Sequence, residues 1–142
     1  QFLRLGHPRQ APLGDDEHPD EVPPVPLGGT VENVSIGSFH SCATLSSGQV
    51  VCWGFGGAGR LGYGDTANVG DQSHPNFQGA VSLGGPAYAA WAGGSHSCAL
   101  LESAEVRCWG DATQGQLGLS HGDDVGDDEL PSSTTPVLVV TP

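Results

Sequence analysis

Four cysteines and two histidines are the residues of this chain whose types and spacing could do chemistry. His40-Ser41-Cys42 is followed by Cys52-Trp53-Gly54, and His96-Ser97-Cys98 by Cys108-Trp109-Gly110, so one constellation occurs twice, 56 residues apart. Three chemistries compete for it. Zinc would use the thiols with His40 and His96, but the close C-x2-C or H-x3-H spacing of structural zinc sites is missing. Reduced thiols would simply pack as small hydrophobes. Cross-strand disulfides, Cys42 with Cys52 and Cys98 with Cys108, fit best: the cysteine count is even, and each C-x9-C segment reads as a hairpin. If Cys42 lies opposite Cys52, the loop between them centres on Ser46, Ser47 and Gly48, and a three-residue loop wants a left-handed residue at its last position. Gly48 meets that demand. Ala104 holds the same place in the second copy, at a cost of about 1 kcal/mol or more.

The densest polar cluster is the loop Asp123-Asp124-Val125-Gly126-Asp127-Asp128-Glu129. Carboxylates on a flexible loop are calcium chemistry, which makes Asp123, Asp124, Asp127, Asp128 and Glu129 the weak candidate metal ligands. Their spacing is not that of an EF-hand loop, and the equivalent loop at Gly70-Asp71-Gln72-Ser73 lacks most of the carboxylates. A solvated loop without metal is the default reading. No other cofactor is expected. His40 and His96 open the same strand in each copy, which points to a structural hydrogen bond between repeats. Ser41 and Ser97 adjoin them, but neighbours along a strand point to opposite faces. No nucleophile elbow, phosphate-binding loop or metalloprotease helix is present. Repetition also argues against catalysis, because a catalytic set is ordinarily unique, so a non-enzymatic protein is expected.

The elements that must position these residues follow from the repeat itself. Gly14-Asp15 recurs at Gly70-Asp71 and Gly126-Asp127; Leu5-Gly6 at Leu61-Gly62 and Leu117-Gly118; Pro19 at Pro75 and Pro131. A fixed period in this range is the signature of a propeller or solenoid. The 142 residues include 23 glycines and 11 prolines, whose fixed phases place turns between short strands. No stretch has helical spacing of apolar residues. In the first copy Val22–Leu27, Val31–Ile36, His40–Ser46 and Gln49–Trp53 read as strands; in the second, Gly79–Leu83, Ala87–Ala92, His96–Leu101 and Glu105–Trp109. The fold class is therefore all-β, with units of four antiparallel strands. Trp53 and Trp109 share a phase and are read as packing between units. Trp91 has no aromatic counterpart, since Ser35 holds its place.

Sixteen acidic residues face four basic ones, for a net charge of −12. This repels phosphate backbones and anionic membrane surfaces, so neither nucleic acid nor membrane insertion is expected. No apolar run reaches the length of a membrane span. The chain starts at Gln1 and holds no Met, as expected of a mature secreted chain or a piece of something longer. Asn33-Val34-Ser35 and Ser132–Pro136 are weak N- and O-glycosylation patterns that matter only on export.

The motif H-S-C-A-x-L…V-x-C-W-G, followed by Gly59-Arg60-Leu61-Gly62 with Tyr63-Gly64-Asp65 or by Gly115-Gln116-Leu117-Gly118, resembles the repeats of the regulator of chromosome condensation family, in its bacterial, cysteine-containing branch. Gly126-Asp127-Asp128-Glu129 resembles that branch too. The likeness covers essentially the whole chain and implies a β-propeller with four-stranded blades. The nuclear role of some members, nucleotide exchange on a small GTPase and docking on nucleosomes, uses basic loops that a chain without lysine cannot match.

On this basis residues 1–21 are a connection, 22–54 a first blade, 55–78 a second connection, 79–110 a second blade, and 111–142 a connection plus the first strand of an unfinished third. That last strand carries Val137, Leu138, Val139 and Val140, an apolar edge that would be completed by strand addition on a neighbour. The expected function is that of a secreted or cell-surface repeat protein, a self-assembling structural subunit built head to tail and capable of forming a filament. The alternative is a fragment of a full propeller that binds or inhibits another protein; an enzyme is the remote third. Partners are copies of itself or another protein.

Overall fold

The computed structural model describes residues 5–8 and 12–139. Within them the β-branched and apolar runs form two antiparallel three-stranded sheets. β1 (Val31–Ile36), β2 (His40–Leu45) and β3 (Val50–Gly54) lie in that order, and β4 (Ala87–Ala92), β5 (His96–Leu101) and β6 (Val106–Gly110) repeat them. Registers repeat as well: Cys42 faces Cys52 and Ser41 faces Trp53, as Cys98 faces Cys108 and Ser97 faces Trp109. A bulge interrupts β1 between Val31 and Asn33, and another interrupts β4 between Ala87 and Ala89. Each leaves one residue, Glu32 or Tyr88, outside the ladder and adds local twist.

The hairpin loops take the expected form. Gly48 N–H donates to the Leu45 carbonyl at 2.8 Å, and Gly48 sits at φ +81°. Ala104, in the same place, is held at φ 68°. After β3 the chain folds back so that Gly54 and Val69 exchange both backbone hydrogen bonds, and Gly110 and Val125 do the same after β6. Prolines start short 3-10 turns at Pro19–Glu21, Pro75–Phe77 and Pro131–Ser133.

The strands expected to open each unit are placed differently. Val22–Leu27 and Gly79–Leu83 are not ladder strands. Val81 instead donates its N–H to the Val50 carbonyl at 2.8 Å, on the free edge of β3. Val137 does the same to Val106 on β6, also at 2.8 Å, in an antiparallel bridge. The segment read as the first strand of one blade thus closes the blade before it. An open edge of β3 or β6 leaves backbone donors and acceptors unmatched, and the returning chain supplies them. The first blade is therefore 31–54 with the segment around Val81, rather than 22–54, and the second is 87–110 with the segment around Val137. Val137 pairs with the outer edge of a blade in its own chain rather than starting an unfinished one, while Leu138 and Val139 follow it exposed; Val140 lies outside the described residues.

A single core runs between the sheets and their connections, including Leu45, Val50, Leu61, Val81, Leu83, Leu101, Trp109, Leu117 and Val125. The recurring Leu-Gly step has its reason here. A Cβ on Gly62 would lie 2.7 Å from the Trp109 ring nitrogen and 2.7 Å from Val81, and Gly62 holds φ +80°. Only glycine lets this turn pass under the buried indole.

Candidate functional site: the joint between sheets and the face beyond it

The side chains of the repeated motif meet where the two sheets stack. Because successive residues alternate between faces, His40, Cys42 and Thr44 point from β2 toward the second sheet, while Ser97 and Ala99 point from β5 toward the first. His40 Nε2 lies 2.8 Å from Ser97 Oγ, and that hydroxyl donates to the Arg60 carbonyl at 3.0 Å. With its one proton so used, Ser97 must accept from His40, which fixes the proton on Nε2. His40 Nδ1 is buried without a hydrogen-bond partner. The hydrogen bond expected between repeats is present, and it runs to a serine side chain of the next repeat. Two further bonds stitch the strands: Ala90 N–H donates to Thr44 Oγ1 at 3.0 Å, and Ala92 N–H to Ser35 Oγ at 2.9 Å. Approach is close enough that a Cβ on Gly37 would stand 2.2 Å from the Gly93 carbonyl.

Protonation of His40 is disfavoured in this joint. Burial, then the Arg60 guanidinium, then His96, push the His40 imidazole down to about 4. Arg60 is itself buried: its Nε donates to the Gly57 carbonyl at 2.7 Å, and its guanidinium lies 4.9 Å over the Phe55 ring. Burial lowers its pKa, opposed by Asp111 and Asp124.

Beyond the second sheet the same positions are open. Trp91, His96, Cys98 and Leu100 stand in the places of Ser35, His40, Cys42 and Thr44, and Trp91 is 49% exposed. On the opposite side of the molecule Val34 (47%) and Ile36 (72%) occupy the places that Ala90 and Ala92 hold in the joint.

The sulfurs of Cys42 and Cys52 are bonded, as are those of Cys98 and Cys108, and no described cysteine is free. Cys42 and Cys52 are fully buried, whereas Cys98 lies on the open face. The acidic loop is divided. Asp127, Asp128 and Glu129 bring carboxylate oxygens within 4.8 Å of one another, as do Asp15, Asp16 and Glu17 two repeats earlier. Burial, and then a hydrogen bond with Asp128, raise the Glu129 carboxyl. Asp124 is diverted to the turn, accepting from Ala112 N–H at 2.8 Å, and Asp123 faces His121 at 3.8 Å. Among the described residues no helix is long and apolar enough to cross a membrane.

The family model of the regulator of chromosome condensation (RCC1) repeat matches residues 31–60 and 92–116, which contain β1–β3 and β5–β6 with the joint residues His40, Arg60 and Ser97. The chain belongs to the RCC1 repeat family. Human HERC2, an E3 ubiquitin-protein ligase, is 31% identical over 121 residues, or 84% of this chain and 2% of its own length. The mitochondrial RCC1 domain-containing protein RUG3 of Arabidopsis thaliana is 33% identical over 108 residues, covering 75% of this chain and 23% of that protein. The chain thus spans less than a quarter of either relative. Among solved structures, yeast RCC1 (Prp20), crystallised with Kap60, superposes with a TM-score of 0.59 at 18% identity, over 78% of this chain and 26% of that one. At that identity the likeness shows the fold: both sheets are blades of RCC1 propeller type.

Within RCC1-type blades, three features of this chain escaped sequence reasoning. Ser97 lies one residue beyond the 56-residue echo of His40, a signal that the strand alternation already contained. The burial of Arg60 had no such signal, because Leu61 and Gly62 drew the motif while their neighbour read as an ordinary surface cation. Arg107 is similar: its guanidinium donates to the Pro131 carbonyl at 2.9 Å and to the Thr134 carbonyl at 2.5 Å, pinning the outer segment to β6.

Proposed function

We propose that this RCC1-type blade pair is a non-enzymatic, protein-binding part of an exported or cell-surface protein, and that its open sheet faces are where binding occurs. The observation that carries the reading is the outer face of β4–β5, where a half-exposed Trp91 and Leu100 stand in place of the small polar Ser35 and Thr44 of the internal joint. A large aromatic on an open sheet face is a typical anchor of a protein contact. Two hairpin cysteine pairs support export, since such bridges persist in oxidising compartments. Yeast RCC1 crystallised with Kap60 is a precedent for protein binding in the family. The acidic loop is read as a solvated turn in which Asp124 accepts from the Ala112 amide.

Two partners suit the faces, copies of this chain in a structural assembly or, second, an outside protein bound or inhibited by a larger propeller. In-chain docking of Val137 on β6 leaves face-to-face stacking as the route, in place of strand addition. The test is hydroxyl-radical footprinting of Trp91 in the complete protein recovered from its source, against the isolated chain. Protection of Trp91 in the complete protein is expected. Equal reactivity in both would overturn the reading, and recovery of the protein only from the cytosol with reduced thiols would remove export from it.

A further inference from the structure

The end of the first blade presents a strip of side chains that the fold does not require. Three hydrogen bonds lay out its backbone. Phe55 N–H donates to the Phe39 carbonyl at 2.9 Å, Ser38 N–H to the Gly93 carbonyl at 3.2 Å, and Asp111 N–H to the Ser95 carbonyl at 3.1 Å. The two phenylalanines therefore adjoin the first turn of the second sheet, and Asp111 follows one step further on. Phe39 is 60% exposed and Phe55 42%. Ser95 and Asp111 hold the same two positions in the second blade, so the repeat fills them as readily with a polar residue as with an aromatic one. A neighbouring blade does not cover these positions. Ser95 and Asp111 stay partly exposed with a blade before them, and Phe39 and Phe55 stay exposed with a blade after them.

The strip already holds one cation. Arg60 lays its guanidinium over Phe55, and its Nη1 donates to the Gly94 carbonyl at 3.4 Å. Asp111 and Asp124, from the next repeat, favour its charge. Gly57 makes room for the Phe55 ring, since a Cβ there would stand 2.6 Å from it. Where Asp111 replaces Phe55, Thr113 replaces Gly57 and donates its hydroxyl to the carboxylate at 2.7 Å. That bond, more than any other cause, holds the Asp111 carboxyl below the usual range and keeps it charged at neutral pH. Ring with glycine and carboxylate with threonine are two matched sets, one to each blade. Among the described residues no cation stands over Phe39, the more exposed ring. Both described arginines are engaged internally, Arg60 here and Arg107 at the Pro131 and Thr134 carbonyls, in a chain of net charge −12.

We propose that this strip docks an arginine-bearing segment of a protein partner, with one guanidinium on the free ring of Phe39 and the next paired to Asp111. An aromatic face attracts a cation, as Phe55 does Arg60, and a charged carboxylate binds a guanidinium through strong hydrogen bonds. The strip stands apart from the sheet faces at Trp91 and Ile36, so the two surfaces are tested separately.

The experiment titrates the complete protein, disulfides intact, into a fluorescein-labelled arginine–glycine repeat peptide at physiological salt, with a glutamate–glycine repeat as the counterpart. Anisotropy should show binding of the arginine peptide and none of the glutamate peptide. Phe39→Ala and Phe39→Leu leave the net charge unchanged, and each should weaken binding by about 3- to 30-fold, the range of a cation on an aromatic face. Phe77→Ala should change nothing: that ring is 76% exposed, but its neighbour Asn76 packs beside Gly28, at the opposite end of β1 from Phe39. Circular dichroism checks that each variant is folded. An arginine peptide that does not bind overturns the proposal. So does one that binds Phe39→Ala as tightly as the wild type, because net charge alone then attracts it. Wild-type affinity in Phe39→Leu overturns it too, since the contact is then apolar. Footprinting of Trp91 reads the sheet faces independently, so a failure here leaves the reading of those faces in place.

Discussion

Acidifying the protein should weaken it through His40 before most carboxylates titrate. The imidazole is fully buried between the blades and its pKa lies at about 4 against a usual 6.5. In the unfolded chain it takes up a proton near pH 6.5; in the folded chain it does not, because burial disfavours the charged ring and Arg60 is close. Folding stability is therefore complete above pH 6.5, falls as the pH drops from 6.5 toward 4, and levels off below. A gap of two to three pH units at 1.36 kcal/mol each gives about 3 kcal/mol. Most of that is lost by pH 4.5, a large share of the 5–15 kcal/mol typical of a domain. Urea unfolding with intact disulfides at a series of pH values between 7.5 and 4 measures it, the midpoint falling by about 1–3 M for an ordinary m-value. His40→Gln keeps a donor for Ser97 without a titrating ring, so its curve should be flatter by the same amount over the same window. A wild-type curve that is flat from pH 6.5 to 4.5, or a variant that loses as much as the wild type, would refute the burial argument.

Three other outcomes follow from the same geometry. Under limiting reductant Cys98–Cys108 should be alkylated before Cys42–Cys52, because Cys98 lies on an open face while both sulfurs of the first bridge are covered, and loss of either bridge should cost about 3 kcal/mol of stability. Peptide mapping after timed alkylation reads the order. Arg107→Ala removes the donor to the Pro131 and Thr134 carbonyls and should destabilise by about 1–3 kcal/mol, seen first as faster hydrogen exchange at the Val137 amide. Ala104→Gly should stabilise by about 1 kcal/mol by relieving a left-handed alanine at φ 68°, whereas Gly48→Ala should destabilise by more than that, since its Cβ would stand 2.5 Å from Pro86. Thermal melts of the two variants should move in opposite directions.

Local chemistry was legible in the residues, and phase was not. The C-x9-C spacing, the loop ending at Gly48 and the apolar alternation of β2 and β5 are short-range facts, and hairpins are decided at short range. Strand membership across repeats is not. A period of 56 residues reads the same wherever a unit is taken to begin, so Gly79–Leu83 could as well close one blade as open the next. Only the backbone bond from Val81 to Val50 decides it, and that pairing is tertiary. Val137, bonded to Val106, carries the same ambiguity of phase. In the acidic loop composition does not hold side-chain direction: Asp127, Asp128 and Glu129 converge, whereas Asp124 accepts from Ala112 and Asp123 faces His121. Trp91 was noticed as an unmatched aromatic; its importance needed the internal joint for comparison.

The closure of each blade by the segment that follows it bears on how the molecule is made. As the chain leaves the ribosome, β1–β3 can pair once Gly54 has emerged, yet their outer edge stays bare until Val81 arrives, and β4–β6 likewise wait for Val137. Every nascent blade thus passes through an interval in which its newest edge is open to the wrong strand. A duplication that copies 56 residues copies an interlocked link and not a finished blade, so each new repeat arrives already fastened to its predecessor.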